Sequence, residues 1–168
     1  MKITLTDENG ESIQINITDE EYSKLFPAVK KTGYERVNSG EKFHLPANAG
    51  SIITYHDDHS SIDDTLYNVA NYYSSKTVAE NNARADKLMR QLRRFAVEHR
   101  EKELDWNDEK QMKYSISYGS MLKLGIAYTE TVKRFGGIYF DTEASAKLAI
   151  HTFKDELLWY FTEYKDSL

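Results

Sequence analysis

The residues with the widest chemical reach lie in one polar stretch, His56-Asp57-Asp58-His59, with Asp63 and Asp64 a few positions on. Two histidines three apart, with carboxylates around them, are ligands of the kind zinc or manganese accepts. A pair of carboxylates can also divide general acid and base work, as in glycosidases. Neither chemistry has its companions here. The chain has no serine elbow, glycine-rich phosphate loop, His-Glu zinc helix or kinase motif. With no cysteine, it has no thiolate ligand, disulfide or cysteine nucleophile. His44, His99 and His151 show no partner pattern. The stretch therefore reads as a solvated acidic loop. No cofactor is expected, no metal is assigned to His56 or His59, no catalytic residue is named, and the chain reads as a binding protein rather than an enzyme. Asp57, Asp58, Asp63 and Asp64 are candidates for recognition, because a negative surface imitates a row of phosphates and suits a basic channel.

A second candidate has the opposite sign. The 168 residues carry a net charge of −5, yet residues 76–102 hold eight Lys or Arg against four acids. A segment of +4 is thus set in a remainder of −9. Arg90, Arg93 and Arg94 lie close together on it and suit a phosphate backbone. The competing arrangement is an outer face whose arginine stems cover apolar surface and pair with acidic loops. A third candidate is the C-terminal aromatic group Trp159, Tyr160, Phe161 and Tyr164, which cannot all face one core from one helix. An exposed remainder would support a homodimer or another protein contact.

These residues need elements to hold them. Residues 1–17 alternate apolar and polar around Asn9-Gly10, the strongest short-range hairpin signal. Thr18 and Glu21 form a capping box ahead of a short helix bearing Tyr22, Leu25, Phe26 and Val29, with Pro27 awkward inside it and Gly33 as its stop. Strands are expected through Tyr34 and Val37, Phe43 and Leu45, and 51–55, followed by a polar loop over 56–65. The longest helix is predicted from about Lys76 to Arg100, with Val78, Ala85, Leu88, Leu92, Phe95 and Ala96 on one face. An acidic link containing Trp106 leads to strands over 112–118, 122–132 and 135–140. A last helix, capped by Asp141-Thr142, places Ala146, Ala149, Ile150, Phe153, Leu157 and Tyr160 on one face.

Two segments match at an offset of 67 residues: Asn71-Tyr72-Tyr73-Ser74-Ser75-Lys76-Thr77-Val78-Ala79 and Ile138-Tyr139-Phe140-Asp141-Thr142-Glu143-Ala144-Ser145-Ala146. Each runs from an aromatic pair through a hydroxyl N-cap to an alanine four residues into a helix, which lets the helix pack close to a sheet. The fold class is α+β. An N-terminal β-hairpin and short helix (1–33) precede two ββ(β)α-like units with antiparallel strands and a long central helix, 34–102 and 103–168, which can share one continuous domain.

Over roughly residues 34–164 the chain resembles a family of small phage and prophage accessory proteins of Gram-positive bacteria. The resemblance rests on Tyr67 through Ser75, Leu92-Arg93-Arg94-Phe95-Ala96, Trp106, Lys113 through Tyr118, and Gly137 through Ala146. Ala70 stands where members often carry glycine. The resemblance implies an accessory protein of a mobile element, working in the host cytoplasm by blocking host machinery. The leading expectation is an anti-CRISPR protein: an inhibitor that occupies the nucleic-acid-binding surface of a CRISPR nuclease, with the acidic loops meeting its basic channel. The alternative is a nucleic-acid-binding accessory protein using the basic helix 76–102. No run of residues is long and apolar enough to cross a membrane, and no membrane partner is expected.

Overall fold

Where apolar and polar residues alternate, the chain pairs with itself. The structure, a computed structural model, describes residues 2–6, 8–18, 20–21, 24, 31–47, 50–119 and 123–167. It divides into two compact units, residues 1–32 and 33–168. In the first, β1 (Lys2–Thr6) and β2 (Ser12–Asn16) form an antiparallel hairpin with Thr6 opposite Ser12. Gly10, at φ 85°, takes the left-handed conformation glycine adopts without steric penalty. The capping box forms: Thr18 Oγ1 accepts the Glu21 amide at 3.1 Å, and the Thr18 amide donates to Glu21 Oε2 at 2.8 Å. The apolar face expected beyond it, Tyr22, Leu25, Phe26 and Val29, lies outside the described residues, as does Pro27.

The second unit opens at Gly33, with φ 95°. A Cβ there would stand 2.6 Å from Val78 Cγ2, so the close approach requires glycine. The strand expected through Tyr34 and Val37 does not form. Side chains take up that backbone instead: the Val37 amide donates to the Tyr72 hydroxyl at 3.2 Å and the Asn38 amide to Glu41 Oε2 at 2.9 Å. A hairpin of β3 (Lys42–Pro46) and β4 (Ile52–His56) follows, with Phe43 opposite Tyr55. The polar loop expected over 56–65 is instead largely helical, α1 (Ser61–Asn68). Ser60 and Asp63 make a capping box at its start, which supplies the helix with partners for its first amides.

The long helix is α2 (Lys76–Glu98), 23 residues or roughly 35 Å long, with Ser75 Oγ accepting from the Val78 amide. Next come β5 (Lys113–Tyr118) and β6 (Leu124–Thr129), the latter shorter than the predicted 122–132. The predicted strand 135–140 reduces to one residue: Phe140 bridges to Tyr114, as Tyr73 bridges to His44 in the first half. The last helix is two, α3 (Glu143–Thr152) and α4 (Lys154–Thr162). Phe153 leaves the helical region (φ −110°, ψ 21°) and packs edge-on against Phe95 at 5.5 Å. Its amide still donates to Ala149 and its carbonyl accepts from Leu157, so the hydrogen-bond ladder continues through the break.

The layout is α+β, with three two-stranded antiparallel hairpins and four helices among the described residues. The 67-residue correspondence is physical. In each half a hairpin takes a one-residue third strand on its first strand, then a hydroxyl-capped helix whose fourth residue, Ala79 or Ala146, is wholly buried. The main core joins Leu88, Leu92, Phe95 and Ala96 of α2 to Phe140, Ala146, Ala149 and Leu157. The start of α2, Val78 and Ala79, packs with Tyr73, Tyr34 and Ile52. One helix thus serves both halves. No described helix is long and apolar enough to cross a membrane.

Candidate functional site

The acidic stretch turns inward. Asp57, directly after β4, has no exposed surface. Arg36 clasps it with two bonds, Nε to Oδ2 at 2.6 Å and Nη2 to Oδ1 at 3.0 Å. The Tyr72 hydroxyl donates to Oδ2 at 2.6 Å, and the His59 amide donates to Oδ1 at 2.7 Å. The Arg36 guanidinium holds the Asp57 carboxyl well below the usual carboxylate range, against the opposing effect of burial. Burial, reinforced by the bond to Asp57, pushes the Tyr72 hydroxyl up to about 12. Tyr72 stacks on Phe43 at 4.2 Å, which places this charge pair beside an aromatic floor. Asp63 is also buried; its side chain accepts the Ser60 and Asp58 amides. Asp57 and Asp63 are therefore not recognition residues: Asp57 is enclosed and paired with Arg36, Asp63 is enclosed against backbone amides, and neither can meet a partner's surface. Asp58 and Asp64 remain exposed, and Asp64 pairs with Arg36 Nη1 at 2.7 Å.

His56 ends β4, and His59 takes a left-handed φ of 58°, its Nδ1 3.3 Å from Asp57 Oδ1. Among the described residues no three His, Asp or Glu side chains gather to hold a metal ion.

The basic helix turns outward. Arg90, Arg93 and Arg94 are all exposed and fall within about 100° of arc opposite the Leu88–Leu92–Phe95 strip. Arg94 lies 3.6 Å from Glu98, an exposed pair of little net value. Arg90 and Arg93 have no ion pair among the described residues. Arg84, one of the eight basic residues, is committed internally: it bonds Glu156 at 2.8 Å and covers the Trp159 ring at 3.9 Å.

Arg93 leads into a cleft of about 400 Å³ whose other cations are Arg100 and Lys133 and whose lining contains no carboxylate. Trp106 forms part of its wall, meeting Tyr139 edge-on at 4.8 Å. Lys133 Nζ lies 5.5 Å from the Trp106 ring centre and Lys113 Nζ 5.4 Å from it. Lys113 is fully buried, and its ammonium donates to the Asp108 carbonyl at 2.9 Å and the Glu130 carbonyl at 2.7 Å. No carboxylate is among these partners of the Lys113 Nζ, which are backbone carbonyls. Arg100 Nε is buried with no hydrogen-bond partner, although Nη1 reaches Glu103 at 3.1 Å. A larger cleft of about 600 Å³ beside α2 mixes Lys87 and Lys154 with Glu80, Asp155 and Glu156, so its charges oppose one another.

The C-terminal rings mostly contact one another. Trp159 is buried, Tyr160 stacks on Tyr164 at 5.2 Å, Phe161 stacks on Tyr118 at 5.3 Å, and the Tyr164 hydroxyl donates to Asn82 at 2.9 Å. Of this group, Phe161 keeps a sizeable exposed face.

Arg36, Lys113 and the Trp106–Lys133 pairing escape a reading of the sequence because their partners are remote in it. One signal was legible: Lys133-Arg134-Phe135-Gly136-Gly137 joins two cations, an aromatic ring and a flexible turn. Comparison of the chain with protein families, curated proteins and solved structures found no match.

Proposed function

We propose that the chain is a binding protein that engages a nucleic-acid backbone through the exposed face of α2 and the adjoining cleft. The observation that carries this reading is a cleft holding Arg93, Arg100 and Lys133 with no carboxylate in its lining, continuous along α2 with the exposed Arg90. The cations of such a surface release the counterions condensed on a phosphate backbone, so binding weakens steeply with salt. Of the acids in the whole-chain charge of −5, Asp57 is enclosed and paired with Arg36 and Asp63 is enclosed against backbone amides, so neither faces a partner. Residues that carry the contact are Arg90, Arg93 and Lys133, with Arg94 as a flanking cation.

The test is fluorescence anisotropy with labelled oligonucleotides at low and moderate salt. The wild type should bind at low salt, and Arg90→Ala with Arg93→Ala and Lys133→Ala should lose most of that affinity. Each phosphate contact removed should lower the salt slope by about one. No binding to any nucleic acid at low salt removes this reading.

A second reading, inhibition of a CRISPR nuclease by charge mimicry, keeps support from the exposed Asp58, Asp64 and Glu103. Asp58→Lys with Asp64→Lys should weaken that inhibition, and a nuclease-protection assay in which the double variant protects as well as the wild type removes the acidic-loop version.

A further inference from the structure

The turn Arg134–Gly137 projects one ring into water. The Gly137 amide donates to the Arg134 carbonyl at 3.1 Å, and Gly136, at φ 71°, supplies the left-handed corner. The turn is anchored rather than loose, since the Arg134 amide donates to the Tyr139 hydroxyl at 2.7 Å, and Tyr139 is buried. A side chain on Gly137 would meet the Tyr139 ring at 2.6 Å, so the backbone lies directly against that anchor. At the tip, Phe135 is fully exposed, the most exposed large apolar side chain described. Lys133 and Arg134 flank it.

This turn forms a ridge between two depressions of different character. On one side lies the cationic cleft of Arg93, Arg100 and Lys133. On the other lies a hollow of about 260 Å³, walled by Phe135 and by apolar side chains including Leu88, Leu92, Ile116 and Tyr160. Both share Gly137, Ile138 and Tyr139. A ligand spanning the ridge must be anionic along one edge and present flat apolar faces along the other. A duplex offers the first property but shuts its base faces inside the stack. A single strand offers both, and base stacking on aromatic rings is tolerant of sequence.

We infer that the ligand is single-stranded nucleic acid, its phosphates in the Arg93–Arg100–Lys133 cleft and its bases stacked on Phe135 over the apolar hollow. This rests on the proposed function and goes further by naming the strand state and the stacking residue. Phe135 packs against no core, so Phe135→Ala leaves folding intact, and Phe135→Trp preserves a stacking face.

The experiment compares the full-length chain with a labelled short oligothymidine and with a labelled blunt duplex of mixed sequence, in the same low-salt buffer. The wild type should prefer the single strand. Phe135→Ala should weaken single-strand binding about tenfold, Phe135→Trp should restore it, and duplex binding should stay as it was. Equal affinity for both probes, with Phe135→Ala unchanged from wild type, overturns the single-strand inference while leaving backbone binding in place. Failure of both probes to bind overturns the inference together with the reading beneath it. An acidic, aromatic peptide that binds the wild type more tightly than the oligothymidine does, and loses that binding with Phe135→Ala, also overturns it, since the ridge then serves a polypeptide.

Discussion

The two halves of the second unit share an architecture and treat charge in opposite ways. Each encloses an ionisable side chain at the open end of its hairpin. In the first half the ion is Asp57, just after β4, matched by Arg36, Tyr72 and the His59 amide. In the second it is Lys113, the first residue of β5, held by the carbonyl of Glu130 just after β6 and by that of Asp108. The first arrangement is closed: a carboxylate meets a guanidinium and the charge ends there. The second is open, because backbone carbonyls and no carboxylate meet the Lys113 Nζ, and Lys133, Arg93 and Arg100 line one cleft together with Trp106. Related scaffolds thus hold opposite charges, one against a guanidinium and the other against backbone carbonyls.

The most disruptive way to break this comparison is to attack what the halves share. Leu92→Ala removes a buried side chain from the main core and should destabilise the protein by about 3 kcal/mol. Because α2 serves both halves, near- and far-ultraviolet circular dichroism should report one coincident transition. Separate transitions would show that the halves are independent.

The next effect separates the two buried ions. Asp57→Asn removes the enclosed one of the two carboxylates that meet Arg36, Asp64 remaining as the exposed one, and should lower stability by about 3 kcal/mol. Lys113→Met strands two carbonyls but no charge and should lower it by about 2 kcal/mol. Urea denaturation orders the two, and a greater loss at Lys113 would reverse the assignment of closed and open halves.

The pH profile sharpens the same contrast. Asp57 titrates below its ordinary value of 3.8 in the folded protein, so its stabilisation is present above that pH and is lost as the pH falls through and below it. Burial pushes the hydroxyls of Tyr72, Tyr73 and Tyr164 up to about 12 from an ordinary 10. Their stabilisation is intact below pH 10 and declines as the pH rises from 10 toward 12. Thermal melts across this range should fall at both ends, and Asp57→Asn should flatten the acid limb while touching the alkaline one only through Tyr72, the shifts of Tyr73 and Tyr164 having other causes.

Smaller still is a difference in turn chemistry. The first half places Ala70 in the left-handed region at φ 56°, whereas its counterpart 67 residues on, Gly137, lies outside that region. Ala70→Gly should therefore stabilise by about 1 kcal/mol, read as a raised melting temperature. A lowered one would mean that the alanine methyl earns its place by packing.

How much of this was legible in the sequence depended on distance along the chain. Asn9-Gly10, the Thr18–Glu21 box, the α2 stripe and the paired aromatic–hydroxyl–alanine segments are local signals, and each marks a real feature. Helix α1 was missed because Ile62, Tyr67 and Val69 all face solvent, leaving no apolar stripe to read, although Ser60 and Asp63 announced its start. Asp57 looked like surface because Arg36, 21 residues away, does not announce itself as a partner. The cleft is invisible for the same reason: Arg93 on α2, Trp106 before β5 and Lys133 after β6 meet only once that helix and that hairpin have folded.

The shared helix has one more consequence, for cutting the chain. Residues 103–109 connect the halves without joining either core. A nick there would leave the C-terminal piece lacking the α2 residues that fill its interior, and the N-terminal piece with an exposed apolar stripe. Neither piece should fold alone, but mixed together they should recombine into a non-covalent whole. Severed halves that need each other in this way would make a split reporter, its signal appearing only when both pieces are brought into one solution.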